Sequence, residues 1–446
     1  MPTDHRRVAR FLQRLQSQGD ADQLGTRLAP TDESLSPRLS CATRITPETV
    51  TRRWRVLAEQ HGAAHDAKHV LFDAATEAHA ETFSRNIENF VGTAKMPLGV
   101  AGPLRVRGLF ASGDYYVPMA TTEAALVASC TRGAQLLGRA GGARAIVVNE
   151  GVGRAPAFAF ETLTDAGRFV AWLTAQIDSV RGAAEATTRH GKLEDVRLSL
   201  QGSDVYVMFE FTTGEAAGQN MVTIATDAAC RWIIKHSPVS PRHWFIESNL
   251  SGDKKPTARS MLGVRGRKVV AEAVIPGELI RSRLHTSVDD MLAYYRTSSL
   301  GAAMSGALGI QGHYANALAA VFIATGQDAA CVGEAATGIT RFEPRAGKGG
   351  PEDALYASVT LPNLIVGTVG GGTALPSAQA CLSLLGLPDQ DASSALAEVL
   401  GALVLAGELS IIGSLAAGDF AEAHRKLARG GPPCDEDVIP DALDAP

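Results

Sequence analysis

The segment Ser248-Asn249-Leu250-Ser251-Gly252-Asp253-Lys254-Lys255-Pro256 puts two lysines beside an aspartate in a polar, glycine-broken stretch. It reads as a loop, and side chains that stabilise developing negative charge sit on loops held by a rigid scaffold. Ala120-Thr121-Thr122-Glu123 and Gly326-Gln327-Asp328 each place a carboxylate at the edge of an apolar segment. One cation and two carboxylates suit an enzyme that moves protons while holding an oxyanion. Taken singly, each has an ordinary structural explanation. Glu123 is a helix N-terminal charge, Lys254 a solvated lysine and Asp328 a cap.

The elements that must position these groups follow from periodicity. Residues 46–80 read as helical, with His61, His65 and His69 on one face. No Cys or carboxylate cluster completes a metal site there, so no metal is expected. A helix is predicted over Thr122–Leu137, after the Gly/Pro-rich run Pro97–Leu104. Residues 156–247 form the clearest module. In order they give an apolar run (Ala157–Phe160), a helix (Asp165–Val180), two alternating runs (Val196–Leu200 and Val205–Phe211), a helix (Ala216–Lys235) and a last apolar run (Trp244–Ile246). The order β-α-β-β-α-β predicts a small ferredoxin-like domain inserted in the chain. Beyond it, Val269–Ile275 and Ala357–Leu361 read as strands. Asp289–Leu300, Tyr314–Ala324, Ser377–Leu385 and Ser394–Ala406 read as helices. Residues 425–446 read as a flexible acidic tail.

Composition bounds the function class. A length of 446 residues implies more than one domain. A net charge of −5 without a basic patch argues against a nucleic-acid partner. The cysteines Cys41, Cys130, Cys230, Cys331, Cys381 and Cys434 form no CxxC pair, which points to a reducing cytoplasm rather than a disulfide framework. Met1 to Gln16 lacks the order of a secretory signal. The apolar stretch Ala395–Ala417 contains Glu398 and Glu408 and reads as a buried core helix, so no membrane association is expected.

Six motifs occur in a fixed order: Glu88-Asn89-Phe90-Val91-Gly92, Pro118-Met119-Ala120-Thr121-Thr122-Glu123, Asp253-Lys254-Lys255-Pro256, Gly326-Gln327-Asp328-Ala329-Ala330, Gly367-Thr368-Val369-Gly370-Gly371-Gly372-Thr373 and Ala406-Gly407-Glu408-Leu409-Ser410. Together they resemble the catalytic part of 3-hydroxy-3-methylglutaryl-coenzyme A reductases, from about residue 80 to 430. Ala329 and the Gly367 run place the resemblance nearer the form found in eukaryotes and some bacteria. No counterpart of the family's membrane anchor, where one exists, is expected here. The resemblance implies an α/β protein of the α+β kind. A large mixed substrate domain (80–155 and 248–424) follows an N-terminal helical region (1–79) and carries the small ferredoxin-like cofactor domain (156–247). It also implies a homodimer or higher homo-oligomer with active sites at the interface.

The same resemblance assigns roles. The family reduces an acyl thioester to a primary alcohol with two hydrides from NADPH, through a hemithioacetal and an aldehyde. Lys254 matches the cation that holds the oxyanion, and Glu123 the donor to the aldehyde oxygen. Asp328 matches the neighbour that raises the proton affinity of Glu123 and bonds Lys254, and His424 the acid for the departing thiolate. Glu215, Gly218 and Asn220 match the helix start that meets the cofactor, with Glu215 where aspartate is usual. Val369 and Gly370 fall in the glycine run beside it. Arg189 and Arg429 match positions that meet a 2′-phosphate, which favours NADPH. Arg154, Asn249, Lys255, His313 and Asn316 match acyl-binding positions, and Ser129 and Arg132 match phosphate-facing ones.

The acyl pocket departs from the pattern. Glu247 stands where a serine holds the substrate carboxylate, and Thr297 where a lysine does. Two unit charges about 4 Å apart interact by about 4 kcal/mol at an effective dielectric near 20. Gln135 replaces a common arginine and Glu278 a common lysine on the coenzyme A side. These changes predict a different acyl thioester, one that carries an amine or is carried on a protein. Two other functions suit the scaffold: a single-hydride aldehyde or imine reductase, which has no use for His424, and a non-catalytic binding homologue, which has no use for the complete quartet.

Overall fold

The computed structural model describes residues 5–30, 39, 45–60 and 64–421. The chain divides into two compact units, one ending at Thr93 and the other beginning at Ala94.

The first unit is helical. Pro47–Gln60, Ala64–Leu71, Ala74–Ala78 and a 3₁₀ turn at Ala80–Arg85 surround Val50, Trp54, Phe72 and Phe90. The buried Arg53 donates to the Phe90 carbonyl at 2.8 Å, and the Trp54 indole donates to that of Val91 at 2.7 Å. Phe90 also stacks on Phe83. These bonds tie the Glu88–Gly92 motif to the helices, so the expected boundary after residue 79 falls inside this unit. His61 and the side chain of His65 lie outside the described residues.

The second unit is built on a branched, mostly antiparallel sheet. Its strands are β1 (Leu98–Gly108), β2 (Ser112–Ala120), β3 (Ala143–Arg154), β4 (Ala157–Ala159), β5 (Lys192–Gln201), β6 (Asp204–Thr212), β7 (His243–Phe245), β8 (Gly266–Pro276), β9 (Gly309–Ile310), β10 (Gly338–Gly347) and β11 (Gly350–Leu364). The larger part runs β2-β1-β3-β8-β11-β10-β9. The smaller part runs β7-β4-β6-β5, with all its neighbours antiparallel. This is the ferredoxin-like order, closed by helices Leu163–Ala175, Ile177–Glu185 and Gln219–His236. It has a core of its own around Phe158, Phe169, Phe209, Phe211 and Val222. β3 joins the parts: Gly151 pairs with Gly266 of β8, and the next residue, Val152, pairs with Phe211 of β6.

Helix Ala392–Ala417 fills the larger core and is buried on every side. Among the described residues it is one helix long and apolar enough to cross a membrane, yet 78% of its apolar window lies inside the protein. Helix Leu126–Arg139 packs tightly on it at Gly133, where a Cβ would lie 1.9 Å from the Ala406 carbonyl oxygen. The two acids that interrupt the apolar stretch are both buried and both hold loops. Glu398 accepts the backbone N–H groups of Leu109, Phe110, Ala111 and Val147 at 2.8–3.3 Å. Glu408 accepts those of Gly312 and His313, the latter at 2.7 Å. Glu398→Ala leaves the buried Ala111 donor unmatched, at a cost of about 1–3 kcal/mol, and frees three partly exposed donors that water can reach. We expect a stability loss of about 3 kcal/mol by urea denaturation, and a loss below about 1 kcal/mol is incompatible with this role.

Helix starts differ from the sequence reading where a site is formed. The helix expected from Thr122 begins at Leu126, because Ala125 has φ 73°. The helix expected from Ala216 begins at Gln219, because Gly218 has φ 75° and Ala216 bridges to Val369. The Glu123 segment and the Glu215 segment are therefore loops that feed helices.

Candidate active site

Lys254 and Asp328 meet: the ammonium lies 2.8 Å from Asp328 Oδ2, with both side chains 43% exposed. Asp328 Oδ1 accepts the Ala330 N–H, which fixes the carboxylate at the start of a 3₁₀ turn. Hydrogen bonding to Asp328 holds Lys254 above the ordinary lysine range. The Lys254 backbone is left-handed at φ 59°, and its N–H is accepted by Glu334 Oε1 at 3.1 Å.

Behind this pair runs a row of alternating charges. Arg154 lies 2.6 Å from Asp253 and 3.6 Å from Glu247. Asp253 also bonds Arg265, and Arg265 Nε lies 3.3 Å from Glu334 Oε2. Burial opposes the charge on Asp253, but Arg154 and Arg265 outweigh it and hold the carboxyl below its usual range. Burial pushes Glu334 up to about 7 against the pull of Arg265 and the Lys254 N–H. The sequence reading missed Arg265 and Glu334. Glu334 is a lone charge in a run of small residues and Arg265 one of three basic residues close together, and only their burial marks them.

Glu123 is paired elsewhere. Its Oε1 accepts from the Asn316 amide at 3.1 Å, and its N–H is accepted by Thr121. It lines a mostly apolar cavity of about 190 Å³ with Leu126, His313, Val404, Ile411 and Phe420. Ser129 and Arg132 line the same cavity, but both are engaged by Ser410. Arg132 donates to its hydroxyl at 3.0 Å and to its carbonyl at 2.8 Å. Asn316 lies in the first turn of helix Tyr314–Ala324, and Asp328 lies just past its end. Eleven residues span about 16 Å, so one chain holds the Glu123 and Lys254 pairs at opposite ends of that helix.

The acyl-type positions are scattered in role. Glu247 Oε2 accepts the Ala155 N–H at 3.4 Å and faces Arg154, while Oε1 is buried with no hydrogen-bond partner. Lys255 donates to the Asp253 carbonyl at 3.0 Å. Thr297 turns its hydroxyl back to the Ala293 carbonyl on an exposed helix face. Asn249 is exposed at φ 65°, and Gln135 and Glu278 are exposed.

The Glu215 loop docks on the glycine run. Glu215 Oε2 accepts the Thr368 hydroxyl at 3.1 Å and the Ser393 N–H at 2.8 Å. A Cβ at Gly367 would lie 2.4 Å from the Ala217 nitrogen, so only glycine permits this approach. Glu215 is thereby a structural clamp on its own loop. Gly218 then starts an 18-residue helix that has no side-chain cap, with Asn220 in its first turn and Val369 and Gly370 exposed alongside. Arg189 is exposed. His424 and Arg429 lie outside the described residues.

A family model described as hydroxymethylglutaryl-coenzyme A reductase matches residues 49–429. A 3-hydroxy-3-methylglutaryl-coenzyme A reductase of Aeropyrum pernix is 44% identical, over 79% of this chain and 83% of that protein. One of Methanothermobacter thermautotrophicus is 43% identical, over 78% and 86%. The solved structure of the Streptococcus pneumoniae reductase is similar in fold, with a TM-score of 0.60 at 19% identity, covering 82% of this chain and 96% of that one. The class II form from that organism, bound to NADPH in open conformations, gives 0.59 at 20%, covering 82% and 86%. With the matched model spanning most of its length, this chain belongs to the hydroxymethylglutaryl-coenzyme A reductase family.

Proposed function

We propose that this protein reduces an acyl thioester to a primary alcohol with NADPH, through a hemithioacetal and an aldehyde. The observation that carries the reading is the Lys254–Asp328 pair, an ammonium fixed on a rigid turn. The thioester carbonyl oxygen becomes an oxyanion, and a preorganised cation stabilises it by about 3–4 kcal/mol. Asp328 keeps Lys254 charged and aimed. Glu123, oriented by Asn316, gives the aldehyde oxygen its proton, and His424 protonates the thiolate.

The residues fit NADPH. The uncapped start of a long helix would present backbone N–H groups to a pyrophosphate, and the exposed Gly370, with open space beside it, leaves room nearby. Arg189 and Arg429 are the proposed contacts for the 2′-phosphate. Each bound NADPH would supply one hydride, so two cofactor molecules would be used in succession for the two reductions.

The reacting carbon needs both the Glu123 and Lys254 pairs. Their separation along one chain supports a homodimer in which the pairs meet across the interface. Leu262, Leu300 and Met304, 92%, 68% and 89% exposed, give each copy apolar surface to bury.

For the acyl group, Arg154 is already neutralised by Asp253 and Glu247, and Thr297 offers no charge. One Glu247 oxygen has no hydrogen-bond partner and is an acceptor left for an N–H donor. We infer a neutral or amine-bearing acyl end in place of a carboxylate. The test follows NADPH oxidation with hydroxymethylglutaryl-CoA beside amine-bearing and carrier-bound thioesters. Turnover should vanish in Lys254→Ala. Asp328→Asn should bring the basic limb of the kcat profile to lower pH, because Lys254 loses the partner that raises it. Turnover that survives Lys254→Ala sinks the mechanism.

A further inference from the structure

A left-handed lysine backbone persists only where neighbours enforce it. Two contacts do so at Lys254, at φ 59°. Glu334 Oε1 accepts its N–H at 3.1 Å. On the same segment, Gly333 packs so close that a Cβ there would lie 3.1 Å from the Lys254 carbonyl oxygen. Glu334 is 0% exposed, and its other oxygen lies 3.3 Å from Arg265, itself 3% exposed. Arg265 reaches Asp253, the residue before Lys254, and lies 3.4 Å from the side-chain oxygen of Gln219, the first residue of helix Gln219–His236. The carboxylate thus has a buried guanidinium behind it, an ion pair without a hydrogen bond, and is aimed at the peptide from which the catalytic ammonium projects. Neither group touches Asp328 or the exposed end of Lys254 in the contacts described.

We propose that Glu334 is the positioning residue for Lys254, acting as the acceptor that sets the Lys254 turn, with Arg265 joining that turn to the start of helix Gln219–His236. This rests on the reading of Lys254 as the oxyanion-binding cation. A small displacement of such a group costs rate rather than affinity.

The test is steady-state kinetics with NADPH and the thioester turned over by the wild-type protein. Glu334→Ala should lower kcat by about 10- to 100-fold while both KM values stay within about threefold. Glu334→Gln keeps an amide oxygen for the Lys254 N–H and should stay at least about tenfold above the alanine variant. Gly333→Ala presses on the Lys254 carbonyl without altering a charge and should lower kcat about three- to tenfold. If Glu334→Ala does not fold, Glu334→Gln decides the matter, its kcat expected to stay within about tenfold of wild type. Three outcomes overturn the proposal: unchanged kcat in Gly333→Ala, a glutamine variant as slow as the alanine one, or losses confined to KM. Lys254→Ala separates the two failures. If that variant stays active the mechanism itself falls, and if it is dead while the Glu334 and Gly333 variants are normal only this inference falls.

Discussion

Glu123→Gln chains mixed with Lys254→Ala chains will reduce the thioester that neither variant reduces alone. The expectation follows from helix Tyr314–Ala324, which holds the Glu123–Asn316 pair at one end and leads to the Lys254–Asp328 pair at the other. If one protomer supplies Glu123 and its partner supplies Lys254, each homodimer has two composite sites. A mixed dimer then has one site with both defects and one with neither. Random mixing of equal amounts makes half the dimers mixed, so activity should recover to about a quarter of the wild-type value. Sites confined to single chains give no recovery at any ratio. The measurement needs denaturation and refolding of the mixture, or co-expression with two affinity tags, followed by NADPH oxidation.

The second large effect is a change of substrate. Glu247→Ser removes the anion that lies 3.6 Å from Arg154. A charge at this range repels a substrate carboxylate by about 4 kcal/mol at an effective dielectric near 20, reduced where water reaches it. We expect kcat/KM for hydroxymethylglutaryl-CoA to rise about 10- to 100-fold. Thr297→Lys on top of it should add a further gain, and an amine-bearing thioester should lose ground in parallel. Efficient use of hydroxymethylglutaryl-CoA by the unmodified protein, unchanged in Glu247→Ser, would end the idea of an altered pocket.

Much of this was legible in the residues, for identifiable reasons. Tyr314–Ala324 is a helix with the bounds its apolar run predicts, and the ferredoxin-like order followed from alternation between clear turns. β1 was not legible, because Gly99, Gly102 and Pro103 disguise a strand that tolerates them through a register shift after Ala101. The helix expected over Asp165–Val180 is two helices broken at Gln176, which no breaker residue announced. Lys254 and Asp328 stood out by motif, and their pairing is geometric fact. Glu247 stood out as a departure and Arg154 as a retained position, but their pairing came only from the fold, because the two lie in segments that a whole folded module separates. Arg265 and Glu334 have no periodic or motif signal at all. Their meaning comes from being buried against each other.

The continuity of β3 has a mechanical consequence. Its ladder passes from β8 at Gly151 to β6 at Val152 without one unpaired residue, and Arg154 ends the strand. A shared strand is a stiff axle rather than a flexible tether. Swinging the ferredoxin-like module wide would shear backbone bonds on both sides, so any approach of the two halves must be a slight roll about that axle. Arg154 bonds both Thr223 of the module and Asp253 of the lysine loop, at the axle's end. It would register such a roll as a change in its hold on both.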